Sequence, residues 1–175
     1  MRGVRVSGTL LVVATSIALL VPASASARPD CTITGTRERD DLRGTPGRDV
    51  ICGKGGGDYI VALAGNDLIF GGPKADIVFG RGGKDKIVGG QGSDSLWGGL
   101  GRDRLVAGPG RDTAVGQQQR DVVLGGGGAD FCLSGIDDHP GDRVLGGQGN
   151  DRGDADVGDF TSSIEDLVDF LCYGG

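Results

Sequence analysis

One nonapeptide sets the pattern of this chain: Gly89-Gly90-Gln91-Gly92-Ser93-Asp94-Ser95-Leu96-Trp97. Working outward from it, aspartates recur every nine residues from Asp40 to Asp130. After a three-residue insertion the series resumes at Asp142 and Asp151. A glycine-rich run precedes most of these aspartates, and an apolar residue follows two positions later in nearly every case. A fixed short period of this kind is typical of a solenoid, in which each repeat packs against its neighbours.

The spacing predicts where each repeat position lies. We number Gly89 as position 1 and Asp94 as position 6. The residues after the aspartate alternate as in a strand, so position 8 faces the core. Glycine at positions 1, 2 and 4 permits positive φ and a close approach of stacked loops. With two repeats per coil, residues 18 apart are neighbours about 4.8 Å apart.

This stacking predicts two columns of carboxylates. One edge carries Asp40, Asp58, Asp76, Asp94, Asp112 and Asp130, and the other carries Asp49, Asp67, Asp85, Asp103 and Asp121. Two carboxylates 4.8 Å apart repel each other by about 0.9 kcal/mol in water, and by more in a dry turn. Calcium suits such columns because it accepts six to eight carboxylate and carbonyl oxygens with flexible geometry. Magnesium demands a tighter octahedron, and no Cys/His pairs are spaced for zinc.

The motif Gly-Gly-x-Gly-x-Asp-x-apolar-x resembles the RTX (hemolysin-type) nonapeptide repeat from Cys31 to about Asp154. The resemblance implies an all-β fold, a right-handed parallel β-roll of about 13 nonapeptides, which binds several Ca2+ ions between stacked turns and folds when calcium is present. The ligands expected from it are Asp58, Asp76, Asp94, Asp112, Asp130, Asp49, Asp67, Asp85, Asp103, Asp121 and Asp151, with the turn glycines Gly53, Gly55, Gly71, Gly89, Gly90, Gly98, Gly99, Gly125 and Gly126.

The composition argues against several classes of function. The chain has 37 glycines and a single histidine, His139, so a site built from several histidines is excluded. It contains no His-Glu-x-x-His and no Gly-x-Ser-x-Gly motif, and we expect no catalytic activity. The net charge of −6 disfavours a nucleic-acid partner, which requires a basic face. No stretch after residue 30 is apolar enough to span a membrane.

The first 27 residues have the pattern of a secretory signal peptide. Arg2 and Arg5 precede an apolar run from residue 9 to 21, and small residues lead to an expected cleavage after Ala27. A membrane anchor is the alternative interpretation. We therefore expect a secreted, extracellular protein with a calcium-binding roll at 28–154 and a C-terminal cap at 155–175. A Ser162-x-x-Glu165 capping box indicates a helix in the cap, and a final strand fits equally well.

Four cysteines in a secreted chain indicate disulfides. In a stacked roll, Cys52 and Cys132 lie more than four coils apart, roughly 20 Å, which is too far for a bond. We expect Cys31 to pair with Cys52 and Cys132 with Cys172. These bonds would staple the two ends of the roll, where a solenoid needs capping.

Position 5 departs from the family pattern because six repeats carry a basic residue there: Arg39, Arg48, Lys84, Arg102, Arg111 and Arg120. Most of them belong to the Asp49–Asp121 edge. One hypothesis is that they partly replace calcium on that edge, while the Asp58–Asp130 edge binds calcium well. The alternative is that these side chains point into solvent.

Position 9 and the outward residues of one predicted sheet are largely apolar. Tyr59, Phe79, Trp97 and Phe131 would form the centre of this face, with Val61, Ile77, Val115 and Leu133 beside them. A ladder of β-forming residues that shields the sheet is one interpretation. A surface for adhesion or assembly with an unknown protein or cell-surface partner is the other.

Overall fold

The chain folds into two parallel β-sheets that face each other across a narrow core. The computed structural model describes residues 29–131, 133–134, 142–154, 160–162 and 166–167, with side chains at 29–131, 133 and 142–151. The expected signal peptide and the loop around His139 lie outside these residues. The described residues contain strands and turns and no helix.

The strands alternate between the sheets along the chain. One sheet has the order β1-β3-β5-β7-β9-β11-β13-β15, and the other β16-β14-β12-β10-β8-β6-β4-β2. The first sheet is built from β1 (Ile33–Thr34), β3 (Val50–Cys52), β5 (Leu68–Pro73), β7 (Lys86–Gln91), β9 (Arg104–Pro109), β11 (Val122–Gly127), β13 (Arg143–Gln148) and β15 (Phe160–Ser162). The second is built from β2 (Asp41–Arg43), β4 (Tyr59–Ala64), β6 (Ile77–Gly82), β8 (Ser95–Leu100), β10 (Thr113–Gln118), β12 (Leu133–Ser134), β14 (Arg152–Asp154) and β16 (Asp166–Leu167).

This order is a parallel β-solenoid of about six turns. Ile69 pairs with Ile87 and Val78 with Leu96, so partners lie 18 residues apart, which confirms the predicted register. Parallel pairing at this interval requires two nonapeptides per coil, because the chain crosses from one sheet to the other and back before it meets itself.

The core is the column of position 8 residues, as predicted. These side chains are fully buried: Ile51, Ile60, Ile69, Val78, Ile87, Leu96, Leu105, Ala114, Val123 and Val144. Ile33 and Leu42 pack against the N-terminal end of the column and are partly buried. Burying one large aliphatic side chain is worth about 1.5–3 kcal/mol. Each coil adds only two such side chains, so the stability of the solenoid depends on stacking many coils.

One predicted register is wrong by a residue. Counting from Asp130 places Cys132 in the core column and Leu133 on the outer face. Instead, Leu133 pairs with Ala114 and is fully buried. The backbone N–H of Phe131 still bonds to Asp112 in the regular way, so the extra residue enters directly after Phe131. The larger leucine fills the core beside the small Ala114 side chain.

The chain continues in strands beyond the predicted end of the roll. β15 pairs with β13, and β16 pairs with β14, so the first sheet extends to residue 162 and the second to residue 167. Of the helix and strand alternatives for the tail, the strand is present at 160–162 and 166–167.

The N-terminal coil is closed by the expected Cys31–Cys52 disulfide, with a Cα–Cα distance of 5.9 Å. The bond joins the residues just before β1 to the end of β3, which is the next strand of the same sheet. The expected partner bond, Cys132–Cys172, lies outside the described residues. In the described part of the chain, no helix has the length and hydrophobicity of a membrane span.

Candidate metal centre

The position 6 aspartates form two buried columns, one along each edge of the solenoid. Twelve of them are no more than 5% exposed: Asp49, Asp58, Asp67, Asp76, Asp85, Asp94, Asp103, Asp112, Asp121, Asp130, Asp142 and Asp151. Aspartate is seldom buried in this way unless it is paired or binds a metal. All the aspartates expected as ligands are in this set.

One oxygen of each aspartate holds the coil before it. Oδ1 of Asp58 accepts a hydrogen bond from the backbone N–H of Asp40, and Oδ1 of Asp76 accepts one from Asp58. The same bond links the coils along both columns, with donor–acceptor distances of 2.6–3.0 Å. Past the insertion it spans 21 residues instead of 18, as from Asp130 to Asp151, so both columns continue.

The second oxygen is buried, and across the middle of the roll it lacks a hydrogen-bond donor. This holds in the described structure for Oδ2 of Asp58, Asp67, Asp76, Asp85, Asp94, Asp103, Asp112 and Asp130. A buried polar atom without a partner costs about 1–3 kcal/mol, and more when it is charged. In each of these turns, therefore, the protein alone does not supply a partner for the second carboxylate oxygen.

In six of these eight turns a glycine at position 1 lets the backbone approach the buried oxygen closely, and Ala62 and Ala107 occupy position 1 before Asp67 and Asp112. A Cβ built on Gly98 would come within 2.6 Å of both Asp103 Oδ2 and the carbonyl oxygen of Gly116 in the next coil. A Cβ on Gly89 would be 2.5 Å from Asp94 Oδ2 and 2.8 Å from the carbonyl oxygen of Ala107. Carboxylate and carbonyl oxygens thus converge in each turn, and this donor set fits calcium.

The number of side-chain ligands per ion is small. Among the described residues, no group of three Asp, Glu, His or Cys side chains gathers around one point. An ion between two coils would therefore complete its coordination with backbone carbonyls and water. The hard oxygen donors again favour calcium over zinc.

The two N-terminal turns are built differently, because a threonine at position 2 occupies the second oxygen. Thr36 donates its N–H and hydroxyl to Asp40 Oδ2 at 2.6 and 3.0 Å. Thr45 does the same for Asp49 Oδ2 at 2.7 and 3.0 Å. These turns satisfy their carboxylates without an ion. Sequence reasoning missed the role of the two threonines. Aligning the repeats shows them as the hydroxyl residues at position 2, where most other repeats have glycine.

Burial makes the columns hard to ionise in the absence of a cation. Loss of hydration, together with the smaller effect of neighbouring carboxylates, raises the pKa of Asp85 and Asp94 to about 7. The same burial raises the pKa of Asp76, Asp103 and Asp130 to about 6. The hydrogen bond from the preceding aspartate's N–H offsets only part of this effect. The columns therefore require added positive charge near neutral pH.

The basic residues at position 5 do not supply that charge. All six side chains, Arg39, Arg48, Lys84, Arg102, Arg111 and Arg120, are exposed, while the adjacent Asp49, Asp85, Asp103, Asp112 and Asp121 are buried. These side chains point into solvent, as the second of the two interpretations predicted. The expected difference in calcium affinity between the two edges remains a prediction.

The expected partner face is a stacked ladder. The rings of Phe79 and Trp97 stack at 4.6 Å with 9° between their planes, and Tyr59 tilts against Phe79 at 5.7 Å. Arg81 covers the Phe79 ring at 5.2 Å. These rings are half-buried by one another, whereas Phe131 is 50% exposed. Leu133, expected on this face, lies in the core.

The predicted glycines divide by role. A Cβ on Gly53, Gly71, Gly89, Gly98 or Gly125, all at position 1, would collide with a column carboxylate, and Gly90, Gly99 and Gly126, at position 2, have φ between 114° and 125°. Around Gly55 a Cβ would make only an ordinary contact with Pro73.

Asp142 shares the environment of the predicted ligands. It belongs to the aspartate series but was not among the expected ligands.

Comparison with known families agrees with this geometry. The model of the RTX calcium-binding nonapeptide repeat matches four segments, residues 32–60, 53–87, 61–96 and 97–132, of which the first three overlap. Together these segments cover residues 32–132, more than half of the chain. No curated protein and no solved structure matches the chain.

Proposed function

Because this chain belongs to the family of RTX calcium-binding nonapeptide repeat proteins, we propose that it is a secreted calcium-binding protein. Its turns hold several calcium ions, and its role is structural rather than catalytic. The two sheets provide the scaffold, and the aspartate columns along the edges provide the sites.

The observation that carries the proposal is the row of buried Oδ2 atoms without hydrogen-bond donors. When bound, calcium supplies the positive charge that these carboxylates need in order to ionise. The chain's own contribution is to hold one carboxylate per turn in place through its Oδ1 bond to the neighbouring coil. In most turns a position 1 glycine lets Oδ2 and a carbonyl oxygen of the next coil come close together.

The sites that we assign begin at Asp58. They run along both edges to Asp151 and include Asp142 in addition to the ligands expected from the sequence. We assign the turns of Asp40 and Asp49 a structural role, since Thr36 and Thr45 already donate to their second oxygens. Extracellular calcium modules bind with dissociation constants of about 10⁻⁴–10⁻³ M, and we expect that range here.

The proposal also covers processing of the chain, the form of the roll and a second disulfide. We propose cleavage after Ala27, a right-handed roll of about 13 nonapeptides, and a second staple between Cys132 and Cys172. The small-residue cleavage pattern and the even number of cysteines support these points.

A second candidate function is adhesion or assembly through the outer face of the second sheet. The exposed side chains of Ile77 and Phe131, 39% and 50% accessible, favour it. Loss of self-association or of cell binding in Trp97→Asp, with the calcium-bound fold unchanged, is the expected result. Unchanged association would remove this candidate.

The proposed calcium sites are tested by counting bound ions in equilibrium dialysis. We compare the native protein with Asp94→Asn and Asp103→Asn, one variant on each edge, and use Asp41→Asn as a control because Asp41 is an exposed strand residue. We expect several ions on the native protein and the control, and fewer on each column variant. Equal losses would contradict the difference between edges, and no bound calcium would contradict the proposal.

A further inference from the structure

The acidic net charge of the chain does not describe its surface. Between residues 42 and 131 there are ten acidic residues, all aspartates of the columns, and all are buried. The same segment has eleven basic residues, and every one is exposed: Arg43, Arg48, Lys54, Lys74, Arg81, Lys84, Lys86, Arg102, Arg104, Arg111 and Arg120. This segment thus presents cations to solvent and buries its carboxylates, whereas Glu38 and Asp41 just before it are exposed.

Five of these cations gather on one edge, which we name the basic edge: Lys84, Lys86, Arg102, Arg104 and Arg120. Lys84, Arg102 and Arg120 occupy position 5 of three consecutive coils. Lys86 and Arg104 occupy position 7 and are register partners in the first sheet. Coils repeat at about the 4.8 Å strand spacing, so the basic edge is two parallel rows of charge along the solenoid axis.

The buried aspartates lie between these two rows, at position 6. Their side chains are buried inside the turns, so the exposed charged groups along this edge are the basic side chains. Clustered cations of this kind attract a polyanion, and arginine pairs with carboxylate and sulfate groups in a bidentate manner.

We propose that the basic edge binds a linear anionic polysaccharide. Two narrow rows with a constant short repeat match one extended polymer chain that carries a charge on successive sugar units. The proposal rests on the proposed function, since secretion would bring the edge to extracellular glycans and calcium would neutralise the columns.

Other polyanions fit the basic edge less well. None of its five residues is aromatic, so it lacks the stacking platforms that single-stranded nucleic acids use. Leu100 is the large apolar side chain exposed in these turns, at 54%. Binding to a membrane surface requires an extended apolar face, which a single leucine does not provide. Nucleic acid and anionic vesicles are therefore comparison ligands in the test.

The test measures binding of the full chain to dextran sulfate, with neutral dextran as the control polymer. The edge variant is Lys84→Glu, Arg102→Glu and Arg120→Glu. The matched control variant is Arg43→Glu, Lys54→Glu and Arg111→Glu, which changes the net charge equally at exposed positions elsewhere. Circular dichroism establishes that both variants fold.

We expect dextran sulfate, but not dextran, to bind, with an affinity that falls as salt is added. The edge variant should bind about tenfold more weakly than the control variant. Equal weakening in the two variants would overturn the assignment. Tighter binding of duplex DNA or of anionic phospholipid vesicles at the same residues would overturn the choice of polysaccharide.

Running the assay with calcium and with a chelator separates the two proposals. Calcium uptake without binding of dextran sulfate overturns this inference alone. Binding of dextran sulfate without any calcium uptake overturns the proposed function alone.

Discussion

At the scale of single residues, each column aspartate uses its two oxygens differently. Oδ1 of Asp94 accepts the N–H of Asp76 at 2.9 Å, while Oδ2 is buried without a donor. The first contact belongs to the protein fold and needs no ion. The second is the one that an ion would complete. Substitutions that remove one oxygen or both therefore separate folding from calcium binding.

Asp94→Asn keeps the Oδ1 acceptor and removes the charge. In chelator it should be at least as stable as the native protein, and in calcium it should be less stable because a ligand is lost. Asp94→Ala should lose about 1–3 kcal/mol in both conditions, since the Asp76 N–H is then unpaired. Urea unfolding measures both variants. An Asn variant that is equally destabilised in chelator and in calcium would contradict this division.

Four non-glycine residues at position 2 hold the strained left-handed backbone: Lys54, Leu63, Arg81 and Gln117. Gly90 has φ 125°, whereas Leu63 at the equivalent position has φ 81°. Gly90→Ala should destabilise by about 1–3 kcal/mol, because its Cβ would also collide with the Gly72 carbonyl. Leu63→Gly should stabilise by about 1 kcal/mol, through relief of the left-handed conformation. Thermal unfolding of the pair measures both, and the same sign of change in both would refute the interpretation.

The sequence predicts some of these residue roles and misses others. The nine-residue period places the column aspartates, and strand alternation after them places the position 8 side chains as far as Val123. It does not reveal which oxygen is bonded, because the partner lies 18 residues away in the stacked coil. Asp49 illustrates the limit: it looks like every other ligand, yet Thr45 donates to its second oxygen.

At the scale of elements, the N-terminal turns differ from the rest. The Cys31–Cys52 disulfide and two threonine-capped turns close the first coils with covalent and hydrogen bonds. A solenoid end has a neighbour on one side only, so it benefits from such capping. This end should therefore be the part of the roll that depends least on calcium.

Thr45→Val tests that expectation, because it removes the hydroxyl and keeps the branched shape. We expect a loss of about 1 kcal/mol, equal in calcium and in chelator. Thr113→Val in β10 is the control, because Thr113 lies in a strand and caps no column aspartate. Urea unfolding in both conditions measures the change. A loss that appears only in calcium would mean that the Asp49 turn binds an ion.

Strand β12 shows why register cannot be counted through an irregular repeat. Leu133 occupies the core position beside Ala114, one residue later in the chain than counting from Asp130 predicts. Nine-residue counting detects three extra residues between Asp130 and Asp142 but does not show where each of them is inserted. That a leucine packs beside the small Ala114 follows from the pairing with the neighbouring coil, which the sequence of one repeat does not show.

At the scale of the whole molecule, the buried columns couple stability to pH. Burial raises the pKa of Asp85 and Asp94 to about 7, from 3.8 in an exposed aspartate. A raised pKa in the folded state means that the folded protein holds its protons more tightly than the unfolded chain. In the metal-free protein, the contribution of these carboxyl groups to stability is therefore greatest below about pH 4. That contribution is lost as the pH rises through 6 to 7.

We expect the metal-free protein to resist urea better at about pH 4.5 than at about pH 8. Calcium should reverse the order, since the ion binds ionised carboxylates and its effect grows with pH. Urea midpoints across this range, with and without a chelator, measure the effect. Metal-free stability that rises with pH would show that the columns are already balanced by the protein's own cations.

The central claim, that calcium completes the buried carboxylate columns, is tested most directly by a calcium titration. Circular dichroism of the purified, oxidised protein is followed in chelator and then with added calcium, with magnesium as the control ion. The account predicts that calcium, and not magnesium, produces a cooperative gain of β-sheet signal and of resistance to urea near neutral pH. An identical β-sheet spectrum and an identical urea midpoint in chelator and in calcium would contradict it.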